Sequence, residues 1–381
     1  MQLEITPELA EVRAVLRKFT TEKLEPLALE IDRTGEVPQR AMDLLREQGY
    51  LGMRLPAEFG GGGFDIMTYC LALEEFSRSH RMFTILLDAT SGLNPIAIAN
   101  FGTEAQKKKY VKGLAEGTLK ASFGLTEPEA GSDSQSMKTR AEQKAGGWVL
   151  NGRKHFISGA HVADVVLIMA VSDPAKRGRG GITAFLVDKG TPGFKVTRVD
   201  ETIGSAAIKL AELTLDDCFV PDGAVLGEVG QGFRIAMESL TNGRLGVSCS
   251  CLGAADRLIE MAAQYAKERV TFGQPLAERQ AIQWMLADSV AELETARAYA
   301  YETLRRVHAG EDVGPAASIC KLVCTEMVGR VADRAVQIHG GMGLVKGYPV
   351  ERFYRDVRHY RVGEGSSEIQ RMLIARDLLR G

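Results

Sequence analysis

The chain has few features that would suit a metal centre, a membrane span or a nucleic-acid surface. Its six cysteines form no C-x-x-C pair and its six histidines complete no zinc pattern, so we expect no metal site. Cys320 and Cys324 share one helix face in an apolar stretch, which favours buried thiols in a reducing compartment. Apolar runs such as residues 165–170 fall far short of the roughly 20 residues that span a bilayer. The net charge of −2 gives no general attraction for nucleic acid or an anionic membrane.

The N-terminal segment also lacks the pattern of a targeting sequence. Residues 1–11 have no basic start followed by an apolar stretch, and they carry Glu4, Glu8 and Glu11. We therefore expect neither a secretory signal nor a retained transit peptide, and a cytoplasmic location.

Glycine clusters in the chain fail the spacing tests for nucleotide binding. Gly341 and Gly343 would need a third glycine at Lys346 to complete G-x-G-x-x-G, and no strand pattern precedes residues 60–63. Neither G-x-x-x-x-G-K-[ST] nor G-x-S-x-G occurs. A Rossmann domain, a P-loop NTPase and an α/β-hydrolase are therefore all without support.

Three stretches of the 381-residue chain differ in hydrophobic spacing. Residues 1–117 have helical spacing, residues 118–227 have short apolar runs between turn residues, and residues 228–381 return to helical spacing. We expect an α+β multidomain protein with an N-terminal α-helical domain, a middle β-barrel or sandwich domain and a C-terminal four-helix-bundle domain within these limits. The last domain would also offer helix faces for subunit contacts.

Local signals give more detailed predictions. Thr103 begins a capping-box pattern, and the helix that follows would end by Gly117. Asn151-Gly152 predicts a turn between two strands, at residues 148–150 and 155–157. Two apolar stripes predict long C-terminal helices, and their members are Ile282, Met285, Leu286, Val290 and Leu293 in the first and Met327, Val331 and Ala335 in the second.

Four separated motifs occur in one order along the chain. They are L-T-E-P-E-A-G-S-D from Leu125, G-R-K-H-F-I-S from Gly152, R-V-T-F-G from Arg269 with Gln280 after it, and Q-I-H-G-G-M-G from Gln337 together with E-G-S-S-E-I-Q-R from Glu364. In sequence and order they resemble the motifs of the FAD-dependent acyl-CoA dehydrogenase family. Each motif alone has an ordinary interpretation as a turn, a half-buried strand or a helix end.

The resemblance implies a set of FAD contacts. Thr126, with backbone groups of Phe123 and Leu125, would hold the isoalloxazine ring, and Ser132 would contact the cofactor and also bind the substrate, facing its CoA portion. Phe156 and Ser158 stand where the family usually has Trp and Thr. The remaining implied contacts are Ile157 beside the ring, Arg269, Phe272 and Gln280 reaching the FAD of another subunit, Gln337, Ile338, Gly340 and Gly341 at the adenine end, and Ser366 and Glu368 near the catalytic loop.

Glu364 is the catalytic residue that the resemblance implies, as the base that removes the substrate's α-proton. Free glutamate has a pKa of about 4.3, so desolvation must raise the pKa, while the following helix N-terminus lowers it. Ser367 and Gln370 would form the capping box of that helix. Arg244 and Gly365 would contact the substrate.

Two departures from the family pattern lie near the base. Some members of the family carry the base just before the arginine that corresponds to Arg244. This chain has Gly243 there, which cannot act as a base, so no other residue competes with Glu364 for that role. Thr241 replaces an Asp that helps to hold the pantetheine arm.

The resemblance implies that an acyl-CoA becomes a trans-2-enoyl-CoA while flavin N5 accepts the β-hydride and an electron-transfer flavoprotein takes the electrons. It also implies a homotetramer or a dimer. Gly363, where many straight-chain enzymes have Tyr, favours branched, cyclic or aryl acyl groups. Arg81 is either a contact for a polar substrate end or a surface residue. An acyl-CoA oxidase and a non-catalytic paralogue remain alternatives.

Overall fold

A computed structural model describes residues 6–380; Glu4 and the rest of residues 1–5, and residue 381, lie outside the described residues. The first part of the chain is helical, as predicted. A π-helical turn, Thr20–Leu24, joins the first two helices, and Gly35 in the left-handed conformation ends the second. The helices are α1 (Pro7–Phe19), α2 (Glu25–Thr34), α3 (Gln39–Glu47), α4 (Ile66–Ser77), α5 (Arg81–Ser91), α6 (Leu93–Phe101) and α7 (Glu104–Ala115).

The start of α7 confirms the predicted capping box. The Thr103 hydroxyl accepts from the Gln106 N–H while the Gln106 side chain accepts from the Thr103 N–H. The helix runs through Gly113 and stops at Ala115, and Gly117 takes a positive φ of 67°. The same Gln106 side chain donates to the carbonyl of Val225 at 2.8 Å, which ties α7 to the following sheet.

The middle of the chain forms one eight-stranded sheet in the order β6-β7-β3-β2-β4-β5-β8, with β1 beside β4. Only the pairing of Arg140 with Val171 joins β2 to β4, so the sheet divides into two halves. Trp148 of one half packs on Phe185 of the other, with ring centroids 5.6 Å apart, and both belong to one buried core. The predicted sandwich-like β domain is therefore confirmed. Its strands are β1 (Ala121–Gly124), β2 (Arg140–Lys144), β3 (Gly147–Ser158), β4 (Val165–Val171), β5 (Ile182–Asp188), β6 (Phe194–Asp200), β7 (Leu210–Pro221) and β8 (Val225–Leu226).

The turn predicted at Asn151-Gly152 is wrong. β3 continues through this dipeptide, and its register with β7 shifts there because the strand bulges. Gly152 is required because a Cβ atom at this position would lie 2.6 Å from the Cα of Thr139. The actual hairpin lies six residues earlier, at Ala145-Gly146 between β2 and β3, where Gly146 takes a φ of 76°.

The last part of the chain is helical again and includes a small hairpin. α10 packs against α8, α9 and α12, as expected for a bundle, and α8 also packs against α4. Gly253 lets α8 approach α4, since a Cβ there would lie 1.7 Å from the Glu74 carbonyl oxygen. The elements are α8 (Gly232–Glu268), β9 (Val270–Thr271), β10 (Gln274–Pro275), α9 (Gln280–His308), α10 (Gly314–His339), α11 (Pro349–Val357) and α12 (Ser367–Arg380).

The two predicted stripes differ in their burial. Met327, Val331 and Ala335 of α10 are all buried, and Leu293 of α9 is buried as well. Val290 instead remains 45% exposed on a face of α9 that also carries the 60% exposed Trp284. Each predicted stripe lies on one long helix, so both predicted helices are confirmed, and Val290 lies on a face that is left free on the single chain.

Within residues 6–380, one helical stretch is long and apolar enough to cross a membrane, judged by length and composition alone. It covers Arg81–Phe101, has a mean hydropathy of 1.3 and is 72% buried inside the protein. Gly92 divides it into α5 and α6. Such burial is typical of core helices, so the stretch is weak evidence for a membrane segment.

Candidate active site

Glu364 lies in an irregular turn between α11 and α12, with a left-handed φ of 56°. Its Oε2 atom is sealed from solvent and has no hydrogen-bond partner. Desolvation raises the pKa of this carboxyl to about 8, and the nearby charge of Asp88 adds to the rise. The charges of Arg244, Lys321 and Arg81 oppose it. The effect of desolvation on the pKa of Glu364 is therefore larger than the opposite effect of the positive charges around it.

Three side chains hold the Glu364 turn through its backbone carbonyls. Gln370 Nε2 donates to the Gly365 oxygen at 2.9 Å and to the Glu364 oxygen at 3.3 Å. Lys321 Nζ donates to the Gly365 oxygen at 2.8 Å, and Arg244 Nε lies 3.5 Å from the Glu364 oxygen. Such bracing maintains a left-handed glutamate that would otherwise be strained.

The predicted capping box at Ser367 is wrong by one residue. α12 begins at Ser367, and the hydroxyl of Ser366 accepts from the Ile369 N–H at 3.4 Å. Ser367 instead donates to Glu326 Oε1 at 2.6 Å, and Gln370 holds the Glu364 turn. Glu368 is exposed.

Gly243 of α8 faces the Glu364 carboxylate directly. A Cβ atom at this position would lie 2.4 Å from Glu364 Oε2. The two positions at which the resemblance places the base therefore meet in space. One residue before Gly243, Asn242 accepts from Arg54 Nη2 at 3.3 Å, and Thr241 donates its hydroxyl to the Met237 carbonyl at 3.0 Å. The Thr241 hydroxyl proton is thus already used within the helix.

The loop after β1 is held by a buried ion pair. Lys154 Nζ donates to Glu127 Oε1 at 2.7 Å and to the Leu125 carbonyl at 3.0 Å. Glu127 also accepts from the N–H of Thr139 at 3.0 Å, and the His155 N–H donates to the Thr126 carbonyl at 2.9 Å. Burial lowers the pKa of Lys154 to about 8 despite its carboxylate partner. The pair fixes the loop to β3.

The three predicted residues at the end of β3 point in two directions. Phe156 has a φ of 59°, stacks on His155 with centroids 3.8 Å apart and remains 55% exposed. Ser158 is exposed on the same side, as the strand alternation predicts. The Ile157 side chain packs into the core of the sheet, which leaves only its backbone for a ligand.

Family descriptions match nearly all of the chain. The acyl-CoA dehydrogenase N-terminal, middle and C-terminal domains match residues 6–118, 122–218 and 230–379. The chain belongs to the acyl-CoA dehydrogenase family. It is thus an oxidoreductase of this family, and the predicted family and enzyme class are confirmed.

Relatives and solved structures extend this likeness over the full length. An acyl-CoA dehydrogenase of Bacillus subtilis (strain 168) is 38% identical over 379 residues, covering 100% of both chains. The caffeyl-CoA reductase-Etf complex subunit CarC of Acetobacterium woodii is 37% identical over 370 residues, covering 97% of each. The structure of butyryl-CoA dehydrogenase from Megasphaera elsdenii has a TM-score of 0.93 at 37% identity and covers 100% of both chains.

FAD is the cofactor of this acyl-CoA dehydrogenase family member, as predicted. The residues around the flavin position fit it. Neither the N–H nor the hydroxyl of Thr126 makes a hydrogen bond within residues 6–380, so both can meet a ring edge. Phe156 offers an exposed apolar face beside the exposed Ser158 hydroxyl, while Ser132 lies in an exposed loop and Phe123 is half-buried.

The residues expected at the far end of the cofactor lie on the surface of the single chain. Arg269 is exposed, and Phe272, at the tip of the β9–β10 hairpin, is 98% exposed with a φ of 50°. Added Cβ atoms at Gly340 and Gly341 would meet open space. Gln280 and Gln337 are also exposed, whereas the Ile338 side chain is buried in the helical core.

Several residues of the site were not predicted, and three of them, Asp88, Tyr69 and Lys321, come from helices far from Glu364 in the chain. Asp88 and Tyr69 form a hydrogen bond of 3.1 Å near the base, from α5 and α4. His359 Nε2 would lie 2.9 Å from a Cβ at Gly363. The sequence could have indicated Lys321, because a lone lysine between the apolar Ala317 and Cys324 of one helix suggests a buried charge with a specific partner. Lys154 belongs to the motif that begins at Gly152, but no role was predicted for it.

Proposed function

We propose that this chain catalyses the FAD-dependent α,β-dehydrogenation of an acyl-CoA thioester, with Glu364 as the base. The observation that carries the proposal is the sealed Glu364 Oε2, which has no hydrogen-bond partner and a pKa raised to about 8. A carboxylate with that pKa is a stronger base than free glutamate and can remove a proton near neutral pH. An ordinary helix cap would be solvated and bonded to backbone N–H groups.

The backbone of Glu364 can assist its own side chain. Its N–H makes no hydrogen bond within residues 6–380, so it is free to donate to the thioester carbonyl. Such a donor stabilises the negative charge that develops on the oxygen when the α-proton leaves. The residues around Thr126 and Phe156 would hold FAD, which would supply the redox chemistry as acceptor of the β-hydride.

An electron-transfer flavoprotein is the proposed electron acceptor. Support comes from the Acetobacterium relative, which is a subunit of an Etf complex. That relative is named a reductase, so the reverse reaction on a 2-enoyl-CoA is a second candidate. The same base would then return the α-proton, because both directions share one transition state.

Substrates with bulky acyl groups follow from Gly363. The position lacks the ring that many straight-chain enzymes carry there, although His359 takes part of that space. We propose a branched, cyclic or aryl acyl group beside the base. A rate profile that favours linear butyryl- or octanoyl-CoA over every bulky thioester would contradict this preference.

The exposed residues of the C-terminal domain support an oligomer. Phe272, Trp284 and Val290 are large apolar side chains on one chain's surface. We propose a dimer or tetramer in which the hairpin reaches the FAD of another subunit, with Arg269 at the pyrophosphate. The domain limits at residues 117 and 227 and the cytoplasmic location also stay proposals.

Anaerobic mixing of the purified FAD protein with linear, branched, cyclic and aryl acyl-CoAs tests the function. We expect at least one class to bleach the flavin absorbance and to yield the 2-enoyl-CoA. Oxygen consumption without an added acceptor would instead indicate an oxidase. Failure of every thioester to bleach bound flavin would contradict the assigned chemistry, and failure to bind FAD would favour a non-catalytic paralogue.

A further inference from the structure

His359 occupies the space beside the residue that precedes Glu364. It belongs to the 3-10 turn Arg358–Arg361, and a Cβ atom on Gly363 would lie 2.9 Å from its Nε2 atom and 3.5 Å from its Cδ2 atom. Gly363 does not take a left-handed φ, so its backbone conformation does not itself require glycine. The imidazole edge therefore fills the volume that a side chain at position 363 would need.

The hydrogen bonding of His359 differs from that of two histidines in the core. His80 Nδ1 accepts from the Met82 N–H at 2.9 Å, and His339 Nδ1 lies 2.7 Å from the Ala335 carbonyl oxygen. Neither ring nitrogen of His359 makes a hydrogen bond within residues 6–380, and neither is sealed by the protein. A histidine that only supported the fold would have at least one such bond. The polar edge of this ring is thus available to a ligand.

The charges around His359 keep its ring neutral. The charge of Arg81, then desolvation, then the charge of Lys321 place the pKa of His359 well below its usual value. Arg81 is 6% exposed, which excludes the surface position left open by the sequence. The buried Asp356, which accepts from the Ser205 hydroxyl at 2.9 Å, acts on Arg81 as a counter-charge.

A neutral imidazole at this place suits binding and not proton transfer. The pKa of Glu364 is raised to about 8 while that of His359 is lowered, so the α-proton stays on Glu364. A neutral ring has one N–H donor and one acceptor nitrogen. A hydroxyl group both donates and accepts, so it can pair with Nε2 in either tautomer.

We propose that His359 determines substrate specificity by hydrogen-bonding a hydroxyl group of the acyl chain, so that the substrates are hydroxyacyl-CoA thioesters. The hydroxyl would lie on the γ-carbon or beyond, since the α- and β-carbons lose hydrogen in the reaction. This inference rests on the proposed dehydrogenation and narrows its substrate class. A methyl group in place of the hydroxyl would leave the ring edge without a partner, which a site built for a hydroxyl penalises.

Acyl-CoA pairs that exchange a hydroxyl for a methyl group test the inference. Freshly prepared 4-hydroxybutyryl-, 5-hydroxyvaleryl- and 3-(4-hydroxyphenyl)propionyl-CoA are compared with valeryl-, hexanoyl- and 3-(4-methylphenyl)propionyl-CoA by anaerobic flavin reduction on the wild-type holoenzyme. We expect the hydroxyl compound to exceed its partner at least about fivefold in kcat/KM in one or more pairs, as for a buried hydrogen bond. Calorimetric titration of the same pairs into Glu364→Gln should show the same preference in Kd.

Two substitutions assign the preference to the imidazole. His359→Leu should reduce the hydroxyl-to-methyl ratio at least about fivefold, and His359→Gln, whose amide still donates and accepts, should keep part of it. His308→Leu is the control, because the His308 side chain is 64% exposed and lies 3.2 Å from Asp65. Its ratio should match the wild type. Flavin content and thermal midpoint show whether each variant is folded.

Gly363→Ala tests the geometry without removing the ring. The added Cβ would lie 2.9 Å from Nε2, so the imidazole must move, and the ratio should fall although His359 is still present. Adding Gly363→Ala to His359→Leu should lower the ratio no further, because the two residues share one space.

Three results would overturn the inference. The first is a methyl compound that is equal to or better than its hydroxyl partner in every pair while dehydrogenation itself is intact. The second is a hydroxyl preference that survives in folded His359→Leu. The third is no flavin reduction by either series or by the wider acyl-CoA panel, which would also remove the proposed function.

Discussion

A Cβ atom on Gly243 would lie 2.4 Å from Oε2 of Glu364, closer than any stable contact. The Glu364 carboxylate thus occupies the space that a side chain at position 243 of α8 would need. Two positions 121 residues apart in the chain (364 − 243) share one small volume. This relationship gives the first two predictions.

Gly243→Ala should displace the carboxylate and lower kcat/KM. A misplacement of about 1 Å in an active site can cost roughly a hundredfold in rate. Steady-state assays with the best acyl-CoA measure the loss. Gly246→Ala is the control, since its Cβ would meet the flexible Leu73 side chain at 2.9 Å. Equal activity of Gly243→Ala and the wild type would show that Glu364 Oε2 is not held there during catalysis.

A base moved to α8 should partly replace Glu364. Glu364→Gly is expected to be almost inactive, and adding Gly243→Glu should restore activity by at least about tenfold, because a correctly placed general base contributes roughly 100- to 10,000-fold. The comparison of single and double variants in flavin reduction measures the effect. If the double variant stays at the level of Glu364→Gly, the two positions do not serve the same α-carbon.

The pH dependence should reveal the raised pKa of Glu364. The carboxyl must be ionised to act as a base, and its pKa of about 8 leaves it mostly protonated below that pH. We therefore expect kcat/KM of the free enzyme to rise with pH through about 8. Asp88→Asn removes a charge that raises this pKa and should shift the profile to lower pH, whereas Lys321→Met should shift it upward. A midpoint near 4 to 5 in all three proteins would contradict the desolvated base.

Lys154→Met should weaken flavin binding and stability. The substitution leaves Glu127 buried without its partner, and breaking a buried pair costs roughly 3–5 kcal/mol. FAD dissociation and the thermal midpoint measure both effects. Arg153→Met breaks a neighbouring pair whose side chains are 53% and 51% exposed, where the expected cost is only about 0–1 kcal/mol. Similar losses in both variants would argue against a special role for Lys154.

Hydrophobic spacing predicted the fold class because each element buries a face whose period can be read from the sequence. The buried stripe of α10 is an example. The start of α7 was predicted from a local hydrogen-bond pattern instead, the capping box at Thr103. The turn predicted at Asn151-Gly152 was wrong because a glycine can serve a strand bulge, here packed against Thr139, as well as a turn. For α9 the spacing predicted the helix, but it could not show which apolar residues, such as Val290, stay exposed on the single chain.

The sequence identified Glu364 as the candidate base, but it did not predict the environment of this carboxyl. Glu364 lies in a recognisable motif, so the sequence pointed to it directly. Asp88 and Lys321 reach the site from α5 and α10, far from Glu364 in the chain, and His359, five residues before Glu364, belongs to no motif that marks it. The sequence also left open whether desolvation or the helix N-terminus sets the pKa, since that depends on the burial of one oxygen atom.

Exchange of α-protons with solvent tests the role of Glu364 most directly. A 3-thia-acyl-CoA carries sulfur in place of its β-carbon and cannot yield a β-hydride, so any exchange in D2O reports proton removal alone. We expect the wild-type holoenzyme to exchange the α-protons and Glu364→Gln, with flavin still bound, to lose at least about a hundredfold in rate. Exchange at the wild-type rate in Glu364→Gln would show that another group is the base.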